Sequence, residues 1–201
     1  MQELGKRLAI AYVSLLSMKG KVPADQEYVA LACAKIANFL TTQKPSTPTS
    51  LLIIGPVGSG KTTMLSAILS VNRAIRKLPQ ERTPEEAWAE DFKTGSCCLT
   101  TCKAYLERAR EGVDIYDIMA ASDIMMFDDL GAEEPSVNVF GTIVRPMENA
   151  IKRASDAGKK VIITTNHDLD GIRNRYDSER MKDCLAGYAT LDMKHMSFRQ
   201  L

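Results

Sequence analysis

Leu4, Leu8, Ala11, Tyr12 and Leu15 recur at three- and four-residue spacing between polar positions, which predicts an amphipathic helix over residues 1–18. Lys19, Gly20, Lys21, Val22 and Pro23 end it with a glycine cap and a proline just beyond. A second helix is predicted from about Ala24, with Val29, Cys33, Ile36, Ala37 and Leu40 on one face. The Thr-, Ser- and Pro-rich stretch 41–50 closes it as a surface connection. From there the rhythm changes to short apolar runs separated by helical stretches. Runs at 51–54, 96–101, 124–127, 160–164 and 189–193 predict strands, and those that are apolar throughout fit parallel strands covered on both faces. Helices are expected at 61–76, 102–110, 116–121 and 136–154, with Pro146 either starting or kinking the last. Residues 79–94 read as a polar surface excursion with a short helix around 85–89. The alternation implies an α/β, three-layer fold with a central five-stranded parallel sheet and helices on both faces. Residues 1–49 then form a short N-terminal helical segment and residues 50–201 the main domain; there is no internal repeat.

Composition narrows this picture without redirecting it. With 45% hydrophobic and 25% charged residues the chain belongs with soluble globular proteins, and 201 residues suffice for one α/β core. The apolar runs are strand-sized, so no membrane anchor is expected. Lys6 and Arg7 before an apolar stretch have the look of a signal peptide, but Gln2, Glu3 and the missing small-residue cleavage site favour the helix. Five cysteines do not make a disulfide framework, and Cys97, Cys98 and Cys102 lack paired zinc spacing, so they are expected as buried thiols in a reducing, cytoplasmic setting. A net charge of +1 gives no global sign of nucleic-acid binding, so such contact would need a local patch. Arg73, Arg76 and Lys77, and Lys103, Arg108 and Arg110, are the candidates, each group readable equally as a solvated helix face. His167 and His195 are expected to be structural, and Trp88 either packed or exposed.

The chemistry concentrates at three strand ends. Gly55, Pro56, Val57, Gly58, Ser59, Gly60, Lys61 and Thr62 follow an apolar strand and open a helix. The glycines let backbone N–H groups turn toward phosphate oxygens, and the helix points its positive end at the anion. Lys61 is expected to reach the β- and γ-phosphates and Thr62 to ligate Mg²⁺, with Thr63 completing the nucleotide-binding run. The ligands implied are therefore ATP and Mg²⁺. A second carboxylate is required at the end of a neighbouring strand, and Asp128 and Asp129 follow residues 124–127. Asp128 is the candidate metal ligand, and Asp129 the group that orients or deprotonates the attacking water. The strand 161–165 ends in Asn166, a candidate for holding the lytic water or the γ-phosphate.

Together these three stretches resemble the AAA+ ATPases, and more narrowly the DnaC-type replicative-helicase loaders and the IstB-like transposition helpers. Gly55 to Thr62 looks like that family's Walker A, Phe127-Asp128-Asp129-Leu130-Gly131-Ala132-Glu133 is similar to its Walker B, and Thr164-Thr165-Asn166 to its sensor-1 strand. Ser197-Phe198-Arg199 is similar to the Ser-aromatic-Arg ending of such loaders. The resemblance implies ATP hydrolysis, self-association on ATP binding, a replicative helicase as partner and contact with single-stranded DNA. It also implies an arginine finger in a Glu-Arg-x-x-x-Arg run, but here Glu179-Arg180 is followed by Cys184 at the second arginine position. Arg180 or Arg175 is expected to substitute, or turnover to be slow. The resemblance implies a separate helicase-gripping module, whereas about fifty residues precede the phosphate-loop strand here; either the first helix is a shortened partner element, or the module lies outside this chain, or the helix is a packing element of the core. Two other readings stay open: a nucleotide or small-molecule kinase, which shares the phosphate loop, and a nucleotide-gated binding module with little hydrolysis.

Overall fold

The computed structural model describes residues 2–41, 50–92, 94–194 and 198–200. It divides into two compact units, one of Met1–Thr47, Gly58–Ser96 and Met193–Leu201, the other of Pro48–Val57 and Cys97–Asp192.

The first unit is helical. Helix α1 (Gln2–Ser17) buries Leu4, Leu8, Tyr12 and Leu16, so Leu16 rather than the expected Leu15 completes its apolar stripe. It packs on α2 (Gln26–Thr41) and on α3 (Lys61–Arg76). Gly5 allows the closest approach, since a Cβ there would lie 3.3 Å from the Ala34 backbone. Helix α2 begins two residues later than expected because the Asp25 carboxylate accepts the Tyr28 N–H at 2.9 Å, capping the first turn. Its predicted stripe, Val29, Cys33, Ile36, Ala37 and Leu40, is buried throughout. Between the helices, Gly20 takes a left-handed turn (φ +67°) into a short strand, β1 (Lys21–Pro23), which pairs antiparallel with a strand at 198–200. The pattern of residues gave no sign of this ribbon, because three-residue strands carry no periodicity. After α3 the polar excursion forms 3₁₀ turns at Pro79–Glu81 and Pro84–Asp91 rather than an α-helix. Trp88 is half-buried there, with the Arg7 guanidinium 5.2 Å above its ring, and Asn72 donates to Thr94 Oγ1 and the Gly95 carbonyl. The connection at 42–49, His195 and Ser197 lie outside the described residues.

The second unit holds the five-stranded parallel sheet. Its strands are β2 (Ser50–Ile54), β3 (Cys97–Thr101), β4 (Ile124–Leu130), β7 (Lys160–Thr165) and β8 (Ala189–Asp192), in the order β3-β4-β7-β2-β8. Helices α4 (Cys102–Arg110), α5 (Tyr116–Ala120), α6 (Pro146–Asp156), α7 (Leu169–Tyr176) and α8 (Glu179–Ala186) complete it. Leu52, Met125, Phe127, Val161 and Ile163 share a core with Tyr105, Met147, Ile151, Ile172, Tyr176 and Leu185 from these helices. The alternate set, Ile53, Ile124, Met126 and Ile162, is buried as well, so both faces of the central strands are covered, as their apolar runs predict.

One expected helix is wrong in its first half. Residues 136–145 form a hairpin, β5 (Val137–Val139) and β6 (Thr142–Val144), and α6 starts only at Pro146. The β-branched residues Val137, Val139, Thr142, Ile143 and Val144 favour the pleated ladder, and Phe140 and Gly141, both at positive φ (48° and 86°), make a two-residue turn matched to strand twist. Asn138 Oδ1 accepts the Gly141 N–H at 2.8 Å and closes it. Pro146, lacking an N–H, sits at the first position of the helix where that donor is not needed.

Candidate functional site

The phosphate loop has the backbone its glycines predict. Gly58 and Gly60 lie in left-handed conformations (φ +84° and +85°) that would strain any other residue, and Lys61 begins α3 directly. No side chain caps that helix, so its leading N–H groups are not satisfied by a capping side chain. Lys61 is buried, as are Gly55, Ser59 and Thr63, whereas Pro56, Val57 and Thr62 are exposed. The Ser59 hydroxyl is buried without a hydrogen-bond partner. An uncapped positive helix end, backbone shaped by two left-handed glycines and an orphaned buried hydroxyl together fit a phosphate chain as ligand. In the same unit as α3, the Lys19 ammonium donates to Thr63 Oγ1 at 2.9 Å, a contact that no motif announces.

In the second unit the sheet order places β7 between β2, which leads into the loop, and β4, which carries the aspartates. The expected carboxylates are therefore not on the strand next to β2 but one strand further, with the Asn166 strand inserted between. Sequence order cannot show this, because strands adjacent in space need not be adjacent in the chain.

Strand β4 does not end at Phe127 as its apolar run suggests. It continues to Leu130 through a bulge: Phe127 pairs with Ile163 and Leu130 with Thr165, so three steps on β4 match two on β7. The extra residue falls at Asp128–Asp129, and Asp129 adopts φ +63°. Consecutive side chains then point differently from a regular strand. Asp128 is buried, with Oδ1 accepting from the Thr164 hydroxyl at 2.6 Å; Asp129 is half-exposed, with Oδ1 accepting from Asn166 Nδ2 at 2.8 Å. A carboxylate can only accept, so the Asn166 amide must turn its NH₂ toward Asp129. The Asp129 N–H is held by the same Thr164 hydroxyl at 2.8 Å. One residue on, Thr165 Oγ1 donates to the Leu130 carbonyl and accepts the His167 N–H, and the Thr165 carbonyl accepts the Gly55 N–H at 3.2 Å.

Beyond the bulge lies a buried carboxylate that sequence reasoning did not single out. Glu133 is 2% exposed and accepts from the Tyr176 hydroxyl and from the Gly131 N–H. Burial pushes its carboxyl above the ordinary value of 4.5, with the tyrosine hydrogen bond opposing that rise. Burial, followed by the Glu133, Asp128 and Asp129 charges, drives the Cys102 thiol well above 9.0, so Cys102 is a neutral packing residue as expected.

The arginine positions separate. Arg175 donates to the Gly131 carbonyl at 3.1 Å and the Glu133 carbonyl at 2.7 Å, which ties α7 to the loop after β4 and commits its guanidinium within the unit. Arg180, at the start of α8, is about half exposed and 4.0 Å from Glu148, a buried carboxylate that also meets Arg145 at 3.5 Å. Cys184 is half-buried. Of the proposed nucleic-acid patches, Arg108 pairs with Glu111, Arg110 with Glu107 and Glu134, and Lys77 with Glu86, which favours the solvated-face reading for those residues. Among the described residues no group of three or more His, Cys, Asp or Glu could hold a metal by itself, and no helix is long and apolar enough to cross a membrane. Magnesium is ordinarily held by one or two carboxylates completed by phosphate oxygens and water, so one buried aspartate, Asp128, is a fitting carboxylate donor.

No family model matches the sequence, and no curated protein does. Solved structures match. The structure of DnaI aligns with a TM-score of 0.59 at 16% identity, covering 86% of this chain and 85% of that one. The DnaC helicase loader aligns at 0.53 and 18%, covering 84% and 91%. The replication initiator DnaA bound to AMPPCP and single-stranded DNA aligns at 0.51 and 15%, covering 81% of this chain; the chain spans just under half the length of that structure and of AMPPCP-bound DnaA from Aquifex aeolicus. At these identities the likeness is one of fold: the chain shares the α/β fold of these structures, with the five-stranded parallel sheet seen above.

Proposed function

We propose that this chain is an ATP-hydrolysing AAA+ protein that binds ATP with Mg²⁺ and acts as a DnaC-like loader of a replicative helicase. The observation that carries the reading is the bulge at the end of β4. It gives two adjacent aspartates different surroundings, one buried and hydroxyl-bound, the other half-exposed and amide-bound, as a metal ligand and a water-orienting base require. The backbone of Gly55 to Gly60 and Lys61 hold the phosphates, while Thr62 and Asp128 are the Mg²⁺ ligands. The ion, when bound, neutralises charge on the β- and γ-phosphate oxygens. Asp129 accepts from the attacking water, and Asn166, whose amide donates to Asp129 Oδ1, fixes the rotamer of Asp129.

The partner assignment rests on the fold shared with DnaI and the DnaC helicase loader. A weaker hydrolysis, with ATP serving mainly to gate binding, is favoured by Cys184 at the second arginine position; Arg175 is committed to two backbone carbonyls, so of the two substitutes Arg180 is the one left to offer a neighbouring subunit.

The direct test is ATP binding by calorimetry with Mg²⁺, for the wild type and Lys61→Ala, followed by mass measurement with a non-hydrolysable analogue, single-stranded DNA and a replicative helicase. Micromolar binding lost in Lys61→Ala, and an ATP-dependent rise in mass with helicase, are the expected results. A folded wild type with no affinity for ATP and Mg²⁺ refutes the nucleotide reading, and a monomer under every condition refutes the loader reading.

A further inference from the structure

The Thr164 side chain is 0% exposed and sits where β7 faces the bulge of β4. Its hydroxyl makes two bonds of opposite sense. It donates to Asp128 Oδ1 at 2.6 Å and accepts the Asp129 N–H at 2.8 Å. A hydroxyl has one proton, so the two bonds fix its rotor: the proton must lie toward Asp128 and a lone pair toward the Asp129 amide. Nothing in a strand-pairing pattern supplies either bond, because the bulge removes the ladder partner of Asp129. The neighbouring Thr165 repeats the arrangement on the next residue pair, donating to the Leu130 carbonyl and accepting the His167 N–H.

We infer that Thr164 is a positioning residue for the site: its single hydroxyl locks the Asp128 carboxylate and the left-handed Asp129 backbone together, so that the metal-side and water-side aspartates hold separate orientations. This rests on the nucleotide reading above and adds a residue to it. With Oδ1 occupied by the hydroxyl, Asp128 presents Oδ2 as its open acceptor, and the charge-assisted bond restrains the carboxylate from rotating about its last torsion. The bond to the Asp129 N–H satisfies a donor that the bulge would leave unpaired in a part-buried place, and supports φ +63°, a conformation that a non-glycine residue holds only when its surroundings impose it. Thr164 touches neither water nor phosphate in this role. It acts through the two aspartates.

The test uses the full chain with Thr164→Val, which keeps the shape and the γ-methyl, and Thr164→Ser, which keeps the hydroxyl. The readout is the Mg²⁺ dependence of binding of a non-hydrolysable ATP analogue, with binding of the nucleotide in EDTA as the reference and kcat and KM measured alongside. Thr164→Val is expected to weaken apparent Mg²⁺ affinity about tenfold or more, the loss typical of one hydrogen bond to a charged group, and to lower kcat while metal-free nucleotide binding stays at the wild-type value. Thr164→Ser is expected to restore most of both. Thr164→Ala carries the same comparison should the valine variant fold poorly. Unchanged Mg²⁺ dependence in Thr164→Val, or a serine variant as impaired as the valine one, overturns the inference while leaving the nucleotide reading intact. Absence of nucleotide binding by the wild type overturns both.

Discussion

Replacing Tyr176 with Phe keeps the ring in the core and deletes only the hydroxyl that meets Glu133. Glu133 is 2% exposed, and without the phenol its side chain keeps backbone donors only, among them the Gly131 N–H at 3.1 Å. Losing a hydrogen bond to a buried charge costs about 1.5–3 kcal/mol, and losing one to a neutral group about 1 kcal/mol. Which applies depends on pH. The Glu133 carboxyl titrates above 4.5 in the folded chain, so between 4.5 and its raised value the folded state holds a proton that the unfolded state lacks. Its contribution to stability is therefore greatest below 4.5 and is lost as pH rises through the raised value. Tyr176→Phe removes an interaction that favours the ionised form and so moves the raised value further up. The variant should lose about 2–3 kcal/mol above the raised value, where the carboxylate is ionised, and about 1 kcal/mol below 4.5, where it is protonated. For a chain of this length that corresponds to falls in Tm of roughly 4–12 °C and 2–4 °C. Urea unfolding followed by far-ultraviolet circular dichroism across a pH series measures it. A loss that does not change with pH, or one that is larger at the acid end, refutes the assignment of Glu133 as a buried, tyrosine-supported carboxylate.

Gly131 lies at φ +97°, and a Cβ there would approach His167 Cδ2 to 2.5 Å, so Gly131→Ala is expected to cost about 2–4 kcal/mol by thermal unfolding; a neutral effect would show that the loop after β4 rearranges freely. Arg175→Ala should lower stability by about 1–3 kcal/mol through loss of its bonds to the Gly131 and Glu133 carbonyls. Arg180→Ala should leave stability within about 0.5 kcal/mol while lowering the proposed ATPase activity. The reverse pattern, a stable Arg175→Ala with lost activity, would exchange the roles given to the two arginines.

The left-handed backbone of the glycine-rich loop and the strand-helix alternation were legible because they are written in local terms. Three glycines before a Lys-Thr pair and runs such as Leu51 to Ile54 declare their backbone without reference to anything distant. Helices over Lys61–Arg76 and Cys102–Arg110 fell where periodicity places them. What escaped depends on partners remote in the chain. The apolar residues of the hairpin at Val137–Val144 also fit helical spacing, and its β-branched residues together with the turn chemistry at Phe140–Gly141 decide against a helix. The Thr164 role requires knowing that β7 lies beside β4 with a slipped register, and the Glu133–Tyr176 pair joins residues 43 apart. Arg175 illustrates the same limit from the other side: a cation that looks available in the sequence is engaged by backbone carbonyls 42 and 44 residues away.

The bulge in β4 has a consequence for how this segment can change over generations. In an ordinary strand a residue gained or lost shifts a face by one step and can be absorbed at a nearby turn. Here one surplus residue is what lets two aspartates stand opposite Thr164 alone, so removing it would restore a regular ladder from Phe127 to Leu130 with room for a single residue between them. Length variation at this point is therefore all or nothing. Relatives that keep the paired acids should keep the spacing from Phe127 to Gly131 unaltered, while the hairpin tip at Phe140–Gly141, with Phe140 92% exposed, is free to lengthen.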